Sequence, residues 1–200
     1  FVVEAPDDKY GTNRYTTSIV FPDITRINWT VGIIHGPSGT GKSTILSRNF
    51  GLRDNNERII LQGRPIDHVT EEILVAVSLM SIPAWYTDIG NLSGGEKERF
   101  EIAYILSRSS DNEIIILDEF TSLVDRSTAK GMSRGISKWC RLHGKKLVVA
   151  TIHNDIFSFM EPDFVWSTRY SKFISYVKNN IEIEYRPGCY GDWQLFKQYH

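Results

Sequence analysis

Gly36-Pro37-Ser38-Gly39-Thr40-Gly41-Lys42-Ser43 follows the spacing G-x-x-x-x-G-K-[ST], a set of residue types suited to holding a chain of phosphates. Glycines at 36, 39 and 41 let the main chain fold back so that successive N–H groups point inward, at the positive end of a following helix. Lys42 brings a full cation to the terminal phosphates, the Ser43 hydroxyl suits a magnesium ion, and Thr44 completes the polar set. The flanks match what the motif needs. Val31-Gly32-Ile33-Ile34-His35 is a short apolar β-prone run, and Ser43 to Phe50 reads as the opening of a helix.

Two further places carry groups that could act on a held phosphate. Glu113-Ile114-Ile115-Ile116-Leu117-Asp118-Glu119 is a β-branched run ending in two carboxylates, the pattern of a strand buried on both faces of a parallel sheet. In an open α/β sheet ligands gather at the carboxyl ends of the strands, which puts Asp118 and Glu119 beside the phosphate loop. Asp118 is suited to hold magnesium through water, and Glu119 to orient and deprotonate an attacking water. His153 follows the apolar run Lys145 to Thr151, so it falls on the same edge and is assigned to the γ-phosphate. His35, His68, His143 and His200 lack that placement and receive no role.

These groups need a frame to hold them. The periodicity predicts helices over Glu71 to Met80, from about Ser93 through Leu106, and from Asp125 to about Leu142, where Gly144 ends the last. Ser93 with Glu96 three residues on forms a capping box for the middle helix. Strands are expected at 1–4, 16–21, 58–62, 164–166, 173–177 and 181–185. Tyr10 and Tyr15 read as ordinary core or surface residues, with stacking on an adenine as a second use.

Composition narrows the class. With 41% hydrophobic and 24% charged residues the 200-residue chain has ordinary globular make-up and room for one core. Twenty-three basic against 24 acidic side chains give a net charge of −1, so bulk charge offers no support for a nucleic-acid partner. Cys140 and Cys189 lack metal-ligand spacing, and no apolar run has the length of a membrane span. A cytoplasmic protein with no membrane association is the expectation.

Taken in order, the phosphate loop, Leu92-Ser93-Gly94-Gly95-Glu96, the strand ending Asp118-Glu119, Ser122-Leu123-Val124-Asp125 and His153 resemble the nucleotide-binding domain of ABC-class ATPases over roughly residues 15–170. The resemblance implies an α/β P-loop NTPase fold: a mostly parallel sheet with flanking helices, a small antiparallel N-terminal β element and a reduced helical subdomain. It implies ATP and Mg²⁺ as cofactors, with Lys42, Glu119 and His153 catalytic and Ser43 and Asp118 at the metal. It also implies a head-to-tail homodimer on ATP binding, in which Ser93, Gly94 and Gly95 reach the partner's nucleotide and Asp125 belongs to the shared site.

Lys42 and Ser93 lie 51 positions apart, and no glutamine occurs from Gly63 to Trp193, so the family's Q-loop is expected to be missing. That loss argues for a soluble motor or switch over a transporter energiser, with an ATP-gated clamp on nucleic acid or a partner protein as the alternative. The short spacing resembles a smaller group of soluble ABC-type ATPases that carry an acetyltransferase-like domain. On that resemblance residues 1–178 form the ATPase domain, and 179–200 a C-terminal extension that begins a fused or partner domain.

Overall fold

A computed structural model describes residues 21–52 and 61–175. The strands expected at 1–4, 16–21, 58–62 and 181–185, together with Tyr10, Tyr15, Cys189 and the proposed boundary at 178, therefore lie wholly or in large part outside the described residues.

Four strands run parallel because helical crossovers return the chain to the same end each time. They are β1 (Val31–His35), β2 (Ile114–Leu117), β3 (Lys146–Thr151) and β4 (Phe164–Ser167); β5 (Lys172–Ser175) adds antiparallel to β4, giving the order β2-β3-β1-β4-β5. Register places His35 opposite Thr151 and Ser167, and Leu117 opposite Val149. The antiparallel element among the described residues is thus at the β5 edge, and the expected N-terminal one is outside them.

Strand alternation divides the core into two layers. Val31, Ile33, Ile115, Leu117, Leu147, Val149 and Val165 face one cluster with α2 (Glu71–Ala76), α4 (Gly94–Arg108) and α5 (Arg126–Leu142). Ile34, Val148, Ala150, Phe164 and Trp166 face the other, against Ile45 and Leu46 of α1 (Lys42–Phe50) and Trp29. The expectation that β2 is buried on both faces needs correction: it is an edge strand among the described residues, with Ile115 and Leu117 buried but Ile114 and Ile116 only half-buried. A strand with a neighbour on one side still reads as continuously apolar when each face has something to touch.

Helix ends follow their local chemistry. The Ser93–Glu96 capping box forms at α4, with the Ser93 N–H donating to Glu96 Oε2 at 2.9 Å. Asp125 caps α5 by accepting from the N–H groups of Ser127 and Thr128, both at 3.0 Å. The helix expected to reach Met80 stops at Ala76, and Ser78 adopts φ 57°. Pro83 lies in the opening turn of a short helix, α3 (Ile82–Tyr86), where proline is accepted. α2, α3 and two 3₁₀ turns (Pro65–Asp67 and Ile89–Asn91) make up the reduced helical part between residues 65 and 91.

Gly32 sits where β1 meets the aromatic layer, and a Cβ there would lie 2.1 Å from the Phe164 ring. Gly32→Ala should therefore lower stability by about 1–3 kcal/mol through overpacking, read from urea unfolding. Phe164→Leu in the same chain should cost less than additively, because it removes the obstacle; strict additivity would refute this packing account.

Candidate functional site

The phosphate loop connects β1 to α1 at the carboxyl edge of the sheet. Gly39 and Gly41 take φ 75° and 84°, the left-handed conformation that lets the loop coil around an anion. Space around both is open, with nothing within 4 Å of where a Cβ would stand. Gly36 serves a different purpose from the one its sequence suggests. A Cβ there would fall 1.9 Å from Thr168 Oγ1, and that hydroxyl is 2.6 Å from Thr40 Oγ1, while Thr40 also donates to the Pro37 carbonyl at 2.8 Å. The closely packed Thr40–Thr168 contact thus anchors the loop to the segment after β4.

Lys42 is buried, and its ammonium donates to the carbonyls of Gly36 at 2.9 Å and Pro37 at 2.8 Å. A lysine has three donors, so one remains beyond these two bonds. Arrival of a phosphate can recruit that proton without unfolding the loop.

A cleft of about 410 Å³ collects Ser38, Gly39, Lys42 and Ser43 from the loop, Asp118 and Glu119 from the end of β2, and His153 from the end of β3. This is a size at which small ligands are held. Gly41 and Thr44 also line it, so most of the expected phosphate set and all three expected catalytic side chains meet there. Gly36, Pro37 and Thr40 do not line it, and their contacts are those of the loop's own framework.

The turn after β2 is held in an uncommon conformation. Glu119 and Thr121 have φ 50° and 69°, which side-chain-bearing residues seldom adopt. Several bonds over-determine it. Glu119 N–H donates to Asp118 Oδ1 at 2.9 Å, Phe120 N–H to the Ala150 carbonyl at 2.9 Å, and Ser122 N–H to the Glu119 carbonyl at 3.0 Å. Thr151 Oγ1 donates to the Phe120 carbonyl at 3.2 Å and accepts from the His153 N–H at 3.1 Å. One buried threonine thereby positions both the carboxylate turn and the histidine.

Ser93, Gly94 and Gly95 are not part of this cleft; Ser93 and Gly94 are exposed at the start of α4. The Ser93 hydroxyl donates to Glu96 Oε2 at 2.7 Å, and hydrogen bonds from Ser93 hold the Glu96 carboxyl below its ordinary range. Asp125 also stays outside, with its carboxylate used in capping α5, and a hydrogen bond from the Thr128 side chain, followed by those from the Thr128 and Ser127 N–H groups, lowers its pKa.

Sequence reasoning gave His35 no role, yet it stands at the head of the loop with its ring edge-on to Phe157 at 5.2 Å. Burial lowers its pKa first; a hydrogen bond with the Ile152 main chain opposes this, and the nearby Lys42 and His153 lower it further. Thr151 and Thr168 were missed as well. No local pattern marks them, because their partners lie far away along the chain.

No family model matches the chain. It is similar to the mitochondrial iron-sulfur clusters transporter ATM1 of Yarrowia lipolytica, 27% identical over 168 residues, covering 60% of this chain and 23% of that protein. It is also similar to ATP-binding cassette sub-family B member 6 of Rattus norvegicus, 30% identical over 159 residues, covering 56% and 19%. The chain spans about a fifth of the length of these relatives. Among solved structures, an archaeal ribosome recycling factor, in complex with a ribosomal stalk protein, superposes with TM-score 0.54 at 19% identity, covering 69% of this chain and 31% of that one. The protein cbiO1 of Clostridium perfringens, part of an ABC transporter complex, gives 0.52 at 19% identity, covering 69% and 72%. The chain therefore has the P-loop fold of ABC ATPase domains, and its sequence is similar to ATP-binding cassette proteins.

The depressed His35 pKa has a consequence for stability. Its ordinary value is 6.5, and the folded value is lower, so the unfolded chain binds the proton more tightly. Stability from this residue is present above that value and is lost as pH falls through the lower folded one. Urea midpoints should decline as pH drops from about 7 to 5, and His35→Asn should flatten that slope.

Proposed function

We propose that the chain is an ABC-type nucleotide-binding domain that binds ATP and hydrolyses it with magnesium. The observation that carries this reading is one cleft shared by Lys42 and Ser43 of the glycine-rich loop, the carboxylates Asp118 and Glu119, and His153. The residues fit such a ligand. The open coil at Gly39 and Gly41 offers main-chain N–H groups for phosphate oxygens, and Ser43 and Asp118 are hard oxygen donors on the same cleft.

Lys42 would hold the terminal phosphates with its free donor, and Glu119 would align a water and take its proton. His153 would hydrogen-bond the γ-phosphate and fix the line of attack. Magnesium held by Ser43 and Asp118 would supply charge neutralisation at the phosphates. Positioning and charge do most of this chemistry, which suits a site whose turns are so firmly tied.

We further propose an ATP-sandwiched, head-to-tail homodimer. The exposed start of α4 at Ser93 and Gly94, apart from the chain's own cleft, is a helix N-terminus able to receive an anion from another copy. In this reading Asp125 approaches the shared interface with its helix. A soluble, cytoplasmic motor or switch is supported by the short stretch between α1 and α4, where no glutamine occurs from Gly63 onward. None of the helices in the described residues is long and apolar enough to cross a membrane. The second reading, an energiser for transport, is favoured by the matched relatives, which include a transporter. Stable co-purification with a membrane-spanning subunit would decide for it.

Glu119→Gln should retain ATP binding while turnover falls by about a hundredfold or more. Its mass in solution should shift from monomer to dimer only with Mg-ATP. Unchanged turnover would remove Glu119 from the chemistry, and a monomer despite saturating nucleotide would reject the shared site.

A further inference from the structure

Arg126 and Asp155 form an ion pair that the proposed chemistry does not use. Arg126 Nε donates to Asp155 Oδ2 at 3.1 Å, its Nη2 meets Asp155 Oδ1 in a second short contact, and its Nη1 reaches Thr121 Oγ1 at 3.4 Å. The fork-to-carboxylate geometry fixes direction as well as distance. Arg126 is the first residue of α5, and Asp155 lies two residues after His153. One guanidinium therefore touches both the strained turn after β2 and the loop that carries the histidine.

The surroundings show why this contact matters. The segment from His153 through α6 (Phe157–Met160) lies along α5, with side-chain hydrogen bonds tying it at each end. At the far end the bonds are inward: Ser137 Oγ donates to the Met160 carbonyl at 2.6 Å, with Ser137 buried, and Arg141 donates to the Glu161 carbonyl at 2.6 Å. At the near end, beside the cleft, the ion pair has side chains about a third exposed (37% and 36%). An exposed pair adds little to global stability, so its value lies in where it holds the loop.

We propose that Arg126 and Asp155 are positioning residues for His153, bracing the histidine loop against the start of α5 so that the ring faces the cleft. This rests on the ATPase reading of the cleft for its kinetic consequence, but the bracing itself can be read without turnover. Neither residue touches the nucleotide in this account. They act through the main chain of residues 153–155, in concert with the Thr151 hydroxyl that already accepts from the His153 N–H.

The test uses the full chain with ¹⁵N-labelled histidine, the His153 ring signals being assigned by His153→Ala. Arg126→Ala, Asp155→Asn and the exchange Arg126→Asp with Asp155→Arg are compared for ring chemical shifts, melting temperature, kcat and KM. Each single change should move the His153 signals and lower kcat about tenfold while KM changes less than twofold, with little change in melting temperature. The exchanged pair should recover both the signals and most of kcat. Unmoved His153 signals in the single variants, or an exchanged pair no better than either single change, would overturn the proposal. A wild-type chain with no turnover, but with ring signals that follow the pair in this way, would uphold the bracing and refute the ATPase reading instead.

Discussion

Parallel pairing of β1 with β3 is the constraint on which the rest depends. It sets His35 opposite Thr151, so the phosphate loop and the histidine loop must leave the sheet side by side at one edge. β2 joins β3 in the same direction and delivers Asp118 and Glu119 to that edge as well. A parallel strand can be reached only through a crossover, which is why residues so distant in sequence converge without any local signal joining them. The apolar layers on both faces hold this register, since a slip by one residue would turn Ile33 and Ile34 to the wrong clusters.

The start of that sheet has its own anchor. Asp163, just before β4, accepts from the N–H groups of Thr30 at 2.8 Å and Val31 at 2.9 Å, and pairs with Arg141 of α5 at 3.2 Å. Burial alone would raise its pKa, but the two main-chain bonds and the arginine outweigh that and hold it below the ordinary value. The carboxylate therefore ties the amino end of β1 to β4 and to a flanking helix. The two ends of β1 are thus fixed by different means: an ionised carboxylate at the beginning, and the hydroxyl of Thr168 on the His35 carbonyl at the end.

Much of the site was legible because its chemistry is local in sequence. Spacing alone identifies Lys42 and Ser43, and a β-branched run ending in acids identifies Asp118 and Glu119. The cap at Ser93 is readable for the same reason, since it and its partner Glu96 lie three residues apart. What escaped the sequence is what depends on distant partners. Gly36 reads as a glycine that lets the main chain fold back, yet the space it needs is set by Thr168, a neighbour in the fold but more than a hundred residues on in the chain. β2 reads as fully enclosed, but how many neighbours a strand has is a property of the sheet and not of the strand.

The left-handed residues at 119 and 121 connect stability to chemistry. A non-glycine residue held there costs about 1–3 kcal/mol, so the turn persists only because its neighbours leave no alternative. Phe120 provides that compulsion: it is buried, its N–H is bonded to Ala150, and its carbonyl accepts from Thr151. With Phe120 fixed inward, Glu119 turns outward and is left exposed at the mouth of the cleft, while Thr121 on the other side stays buried. The exposed carboxylate is therefore directed by a buried aromatic ring beside it. On the proposed ATPase reading, ordering the turn in advance would let a substrate arriving in the cleft meet a carboxylate already in place, the condition under which positioned charge accelerates a reaction.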